Sequence, residues 1–184
     1  DLDPTKKILL FFGLIRNYKG LDLLLQAFSN LNNEFSLVIA GEVYGEEITY
    51  TDLIAKSKNK NIHFVNQFID EQDVKLYFSV ADLCVLPYKS ATQSGIQALA
   101  NSFCLPVLIS NVGGLAEDIV DEKNGFILND INPLAIQHKI EVIFKEKKIL
   151  KVQENLKREN LLLDDSWAKF SESLIQFSER LKKE

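Results

Sequence analysis

The chain has 184 residues, of which 46% are hydrophobic and 26% charged, a composition typical of one folded domain and not of a disordered segment. Its formal net charge of -5 argues against a nucleic-acid-binding platform, because a surface that follows phosphates needs an excess of basic residues. A local basic pocket for a small phosphorylated ligand is still compatible with that charge. No apolar stretch approaches the roughly 20 residues that span a bilayer, so the sequence predicts no transmembrane segment.

The apolar runs predicted as strands follow one another in the order 8–12, 35–40, 62–65, 82–86, 106–110 and 125–128. Helical patterns are predicted from residue 20, over 51–58, over 71–80 with Asp70 as N-cap, over 94–103, from the glycine pair at 113–114, and over 133–147, 149–162 and 166–183. Because the strands are continuously apolar, we expect a parallel sheet that is covered on both faces. The predicted fold is an α/β, Rossmann-like doubly wound parallel sheet of about six strands with helices on both faces, followed by a C-terminal helical segment.

Neither the cysteines nor the histidines form a recognisable reactive or metal-binding group. Cys84 and Cys104 lie in apolar surroundings without metal-like spacing, which predicts buried, reduced thiols and a cytoplasmic location. His63 and His138 fall in a predicted strand and a late helix, with no nucleophile or ligand set beside them. The sequence therefore predicts no metal site.

Basic residues follow the first predicted strand. In a doubly wound sheet, ligands bind beyond the carboxyl ends of the strands. Gly13 permits a close approach of the backbone there, and Arg16 and Lys19 place positive charge close to the start of a helix. That combination suits a pyrophosphate, although the same two side chains could also be solvated loop charges.

Small and polar residues follow the fourth predicted strand, at 90–95, and lead into a helix. They leave backbone N–H groups free to point at an anion with the helix dipole behind them. The alternative is an ordinary helix cap made by Thr92 or Ser94. After the fifth strand, Gly113 and Gly114 allow the backbone to approach a ligand, or make a tight turn. No GxGxxG or Walker-type loop is present, which weakens an NAD or ATP interpretation.

Taken together, these junctions resemble the C-terminal domain of family-4 glycosyltransferases, a large group of retaining enzymes with the GT-B fold. The matching segments, in the family's order and spacing, are 12–20, 38–41, 77–87, 90–95, 106–107, 111–117 and 124–126, and the start of the last predicted helix at 165–167 is also similar. The resemblance covers essentially the whole chain.

The resemblance implies a single domain, 1–184 with 149–184 as closing helices, that binds a nucleotide-sugar donor such as a UDP- or GDP-sugar without a metal or other cofactor. Arg16 and Lys19 would be the catalytic residues, neutralising the pyrophosphate as the nucleoside diphosphate departs. The donor-binding residues that it implies around the phosphate or sugar are Ser90, Thr92, Gln93, Ser94 and Gly95, together with Gly13 at the end of the first strand. Around the base and ribose it implies Gly41, Glu42, Asn66, Gln67 and Phe68.

The family's N-terminal, acceptor-binding half is absent from this sequence. We therefore expect the chain alone to bind a nucleoside diphosphate weakly and to transfer nothing, with any membrane association supplied by the absent half. The function implied is donor binding in polysaccharide or glycan biosynthesis.

Two departures from the family pattern keep alternatives open. Many relatives carry a Glu pair where this chain has Ala91 and Leu99, and the arginine of the first loop falls later than in the commonest pattern. The first departure favours a changed donor contact, through Gln93 or Ser94. The alternatives are a degenerate, non-catalytic GT-B module, or a sugar-nucleotide epimerase or phosphorylase of similar architecture. A receiver-type module is disfavoured because no acidic cluster follows the strands.

Overall fold

A computed structural model describes residues 2–160 of the chain. The strands are β1 (Lys7–Phe12), β2 (Phe35–Ala40), β3 (Ile62–Val65), β4 (Leu83–Leu86), β5 (Val107–Ser110) and β6 (Phe126–Leu128). The helices are α1 (Leu21–Phe28), α2 (Glu47–Lys56), α3 (Glu71–Val80), α4 (Gly95–Ser102) and α5 (Pro133–Lys145), with a 3-10 turn at Asn17–Lys19, and residues 148–160 are also helical. The helix predicted over 166–183 lies outside the described residues.

The six strands form one parallel sheet in the order β3-β2-β1-β4-β5-β6, which confirms the predicted doubly wound fold. All of β2 and β4, and all but the first residue of β1, are buried. Successive side chains of a strand point to opposite faces, so Leu9 and Phe11 enter one core while Leu10 and Phe12 enter the other. Helices α1 and α5 cover the first core, and α3 and α4 cover the second.

The segment after the paired glycines differs from the sequence prediction. Residues 113–118 form consecutive turns and not a helix. Gly113 has a φ of +50°, and a Cβ there would overlap the carbonyl oxygen of Ala91, so the backbone is pressed against the neighbouring loop. Asn124 then closes the segment, accepting a hydrogen bond from the Val120 N–H at 2.7 Å and donating to the Asp118 carbonyl at 2.9 Å. These contacts replace helical hydrogen bonds.

The cap predicted at Asp70 is made by the backbone alone. Asp70 occupies the N-cap position of α3 in extended conformation, but its side chain makes no capping hydrogen bond. Its carbonyl oxygen accepts from the Asp73 and Val74 N–H groups at 2.9 and 3.2 Å.

The strand order reverses between β1 and β4, which are neighbours in the sheet. The chain leaving β1 enters α1 on one face, and the chain leaving β4 enters α4 on the other. A crevice therefore forms between the two exit loops at the carboxyl edge. Within residues 2–160, no helix is long and apolar enough to cross a bilayer.

Candidate functional site

The loop that leaves β1, residues 13–20, is held against the end of the sheet and against α4. The Gly13 N–H continues the sheet by donating to the Ala40 carbonyl at 2.9 Å. Gly13 has a φ of +92°, and a Cβ there would lie 3.0 Å from Ile96 Cδ1 and 3.5 Å from Lys19 Nζ. Gly13 therefore lies within contact distance of both the Lys19 ammonium and the Ile96 side chain on the first turn of α4.

Lys19 is a buried cation, with only 8% of its surface exposed. Its Nζ lies 5.6 Å from the centroid of the Tyr88 ring, and no carboxylate within residues 2–160 pairs with it. Burial lowers the pKa of the Lys19 ammonium, and the nearby Arg16 guanidinium lowers it further. Two cations held together without a counter-ion favour the binding of an anion.

The exit loops of β1 and β4 contact each other through their backbones, and the β4 exit also forms an ion pair with the start of α1. Gly20, with a φ of +71°, packs so closely that a Cβ would overlap the Pro87 carbonyl oxygen. The Lys89 N–H donates to the Tyr18 carbonyl at 2.7 Å. The Lys89 ammonium also pairs with the Asp22 carboxylate of α1 at 2.9 Å, and both side chains are about one-quarter to one-third exposed. The two loops are therefore one connected unit.

Backbone N–H groups remain unpaired where the β4 exit loop enters α4. Ser94 stands at the N-cap position, but its side chain makes no capping hydrogen bond, so the side-chain cap considered from the sequence is not formed. Within residues 2–160, none of the N–H groups of 92–96 donates a hydrogen bond. A run of free N–H groups at a helix N-terminus attracts an anion.

An open cleft of about 660 Å³ lies beside this loop, within the size range of small-molecule sites. It is lined by Tyr18, by residues 89–93, and by Val112 and Gly113. Lys19, Gly13 and the N-terminus of α4 therefore lie at the same edge of the sheet as Ser90, Thr92 and Gln93.

A family model described as glycosyl transferases group 1 matches residues 1–160. The chain belongs to this family. A D-inositol 3-phosphate glycosyltransferase of Xylanimonas cellulosilytica is 27% identical over 73% of this chain and 33% of its own length. A GDP-mannose:glycolipid 4-beta-D-mannosyltransferase of Xanthomonas campestris pv. campestris is 34% identical over 68% of this chain and 34% of its own length. The chain thus spans about a third of the length of these curated relatives.

Solved structures with the same fold include other glycosyltransferases. The C-terminal domain of the group 1 family protein LpcC from Francisella tularensis superposes with a TM-score of 0.71 at 20% identity, covering 82% of both chains. HepE from Anabaena, in complex with UDP, superposes with a TM-score of 0.75 at 15% identity, covering 92% of this chain and 49% of HepE. At these identities the likeness establishes the fold alone.

The remaining candidate residues of this group 1 glycosyltransferase chain lie at the ends of β2 and β3. A Cβ on Gly41 would overlap the Gly13 carbonyl oxygen, so the exits of β1 and β2 are in backbone contact. The Glu42 carbonyl accepts from the Ile15 N–H at 2.8 Å. The Asn66 Oδ1 accepts from the Val43 N–H at 2.9 Å and so supports the β2 exit.

Gln67 and Phe68 are exposed, Phe68 by 74%, and in the described part of the chain no hydrogen bond joins them to residues 90–95. The structure thus brings Gly13, Lys19 and the 90–95 loop together. It places the β2 and β3 exits farther along the same edge.

The two positions at which the family resemblance implied glutamates are apolar here. Ala91 and Leu99 are partly buried and pack against the core on the α4 face. Gln97, which the sequence analysis did not single out, is buried with 8% of its surface exposed, beside Gln93 and Ser94 in a crevice along α4. A polar residue at an otherwise apolar position of the α4 pattern is the sequence feature that could have indicated Gln97 as a site residue.

Three further residues near the site, Asp22, Lys89 and Tyr44, have no role predicted from the sequence. Asp22 and Lys89 are 67 residues apart, and nothing in their spacing indicates that they pair. Tyr44 is 68% exposed, and its ring lies 4.9 Å from the Arg16 guanidinium carbon. These partners come together only through the sheet order.

Proposed function

We propose that this chain is the donor-binding domain of a retaining glycosyltransferase, which holds a nucleotide sugar and stabilises the departing nucleoside diphosphate. One observation carries the proposal. The buried Lys19 ammonium and the first turn of α4, where the N–H groups of 92–96 are free, both lie next to Gly13 in the crevice between β1 and β4. A diphosphate is the small ligand whose charge and size suit both partners.

In the proposed reaction, the bond between the sugar and the terminal phosphate breaks, and negative charge develops on the diphosphate. The Lys19 ammonium and the α4 N-terminus, both next to Gly13, would stabilise that charge. Arg16, exposed at the outer edge of the same loop, adds a second positive charge. Because these groups are already in place, little reorganisation accompanies bond cleavage. This stabilisation relies on protein cations and N–H groups and invokes no metal ion.

The base and ribose would lie along the exits of β2 and β3. Glu42 offers a carboxylate there, and Asn66, Gln67 and Phe68 are exposed beyond β3. The names of similar proteins include a GDP-mannose-dependent mannosyltransferase and a complex with UDP, so both bases are to be tested. Ser90, Thr92, Gln93, Ser94 and Gly95 would contact the phosphate and the sugar.

The complete enzyme in this proposal has a second, acceptor-binding half and acts in polysaccharide or glycan biosynthesis in the cytoplasm. The small share of each curated relative that the chain spans supports a second half. Two free cysteines, one of them fully buried, are compatible with a reducing compartment. The chain alone would bind donor without enclosing it, and would transfer nothing.

Calorimetric titration of the chain with UDP and with GDP tests the proposal. We expect saturable 1:1 binding of at least one of them, and much weaker binding of the corresponding nucleoside, because the diphosphate supplies most of the charge. The absence of heat and of chemical-shift changes at high concentrations of both nucleotides would contradict it.

The apolar Ala91 and Leu99 favour a second candidate, a domain that binds donor but belongs to an inactive enzyme. A sugar-nucleotide hydrolysis assay on the full-length protein separates the two. Turnover of any donor in a panel of UDP- and GDP-sugars supports the enzyme, whereas binding without turnover across the panel supports the inactive module.

A further inference from the structure

The side chain of Tyr44 supports Arg16 at the rim of the crevice, and both positions follow from the way β1 and β2 end. The two strands remain paired beyond their last residues. The Ile15 N–H donates to the Glu42 carbonyl and the Tyr44 N–H donates to the Ile15 carbonyl, both at 2.8 Å. Ile15 is fully buried and anchors this extension. These bonds pair Ile15 with Val43, so Arg16 and Tyr44 are the next residues of the two segments and emerge side by side.

The contact between them is a cation over an aromatic ring, with the guanidinium carbon 4.9 Å from the ring centroid. Within residues 2–160, Arg16 has no carboxylate partner and no side-chain hydrogen bond. A carboxylate would hold the guanidinium more firmly, but it would cancel the charge and occupy the N–H groups. An aromatic ring restrains the guanidinium and leaves its charge and its donors available.

We propose that Tyr44 is a positioning residue, which holds Arg16 at the crevice with its charge unneutralised so that the guanidinium can pair with the diphosphate of the donor. This inference rests on the proposed function, because it assumes that a diphosphate binds between Lys19 and α4. Tyr44 itself would touch neither the phosphates nor the base. Its effect on binding would pass entirely through Arg16.

Three substitutions at Tyr44 test whether its aromatic ring acts on diphosphate binding through Arg16. Y44L removes the aromatic face, Y44F keeps it without the hydroxyl, and Y44E replaces it with a carboxylate that would pair with Arg16. Because Tyr44 is 68% exposed, none of the three should unfold the domain, and thermal melting checks this. The probes are UDP, GDP, inorganic pyrophosphate and uridine, measured by calorimetry against the unmodified chain.

We expect Y44L to weaken binding of UDP or GDP, and of pyrophosphate, by about two- to fivefold, the range of an exposed cation–π contact. Y44F should bind like the unmodified chain, and Y44E should bind more weakly than Y44L because it neutralises Arg16. In the R16Q background, Y44L should have no further effect. Uridine binding should not change in any variant.

An unchanged affinity in Y44L, an equal loss in the R16Q background, or a parallel loss of uridine binding would overturn the role of Tyr44 while leaving the proposed function intact. The last of these results would show that Tyr44 stacks on the base. If the unmodified chain bound none of the diphosphates, the proposed function would fail, and this inference with it.

Discussion

Replacing Lys19 by Met should separate binding from stability, because this ammonium is buried and has no carboxylate partner among residues 2–160. Burying a poorly satisfied polar group costs about 1–3 kcal/mol, and the contact with the Tyr88 ring recovers about 0.5–2 kcal/mol of it. Met fills a similar volume without charge. The two terms leave between about 1 kcal/mol lost and about 2.5 kcal/mol gained, so we expect K19M to unfold between ~4 °C below and ~10 °C above the unmodified chain.

The same substitution should weaken nucleoside diphosphate binding. A hydrogen bond to a charged group contributes about 1.5–3 kcal/mol, so the affinity of UDP or GDP should fall by roughly 10- to 150-fold. Calorimetry measures the affinity, and differential scanning calorimetry the unfolding temperature. K56M is the matched control, because it removes the same charge from an exposed position. Lys56 lies on α2, and its side chain is 78% exposed. Unchanged affinity in K19M, or a loss of several kcal/mol of stability, would refute the reasoning.

Further predictions concern the loops and the charge of Lys19. Gly20→Ala should lower the free energy of unfolding by at least ~2 kcal/mol in urea titration, because the new Cβ would overlap the Pro87 carbonyl oxygen at a φ of +71°. The control is Gly45→Ala, where φ is +128° but the Cβ meets open space, and its loss of unfolding free energy should be clearly smaller. Asp22→Asn should lower the free energy of unfolding by about 1 kcal/mol, and weaken UDP or GDP binding about two- to fivefold, because it weakens the contact with Lys89. An unchanged free energy of unfolding together with an unchanged affinity would contradict this. Because burial and the nearby Arg16 guanidinium lower the pKa of Lys19, raising the pH should remove its proton and weaken diphosphate binding, and the decline should disappear in Lys19→Arg.

Much of the fold follows from local sequence. Continuous apolar runs predict buried parallel strands, and all six strands lie where the runs indicate. The segment after Gly113 escaped prediction because its conformation depends on contact with Ala91, a residue from the preceding strand exit. Asn124, which completes that segment, acts through side-chain hydrogen bonds that leave no periodic signal.

The candidate site was predictable in its location but not in its internal partners. Gly13, Lys19 and the 92–95 turn follow strands whose carboxyl ends share one edge, so their proximity follows from the parallel sheet. The role of Lys89 depends on Asp22, and the position of Arg16 depends on Tyr44. Each pair joins two segments of the chain that become neighbours only through the strand order.

The central claim is that a diphosphate binds between Lys19 and the free N–H groups at the start of α4. Amide chemical-shift mapping of the chain during titration with UDP and with GDP tests it most directly. We expect that for at least one nucleotide the N–H resonances of 92–96 and of Gly13 shift together, saturating with the affinity found by calorimetry. Shifts confined to the opposite edge of the sheet, around Lys7 and Glu34, would contradict it.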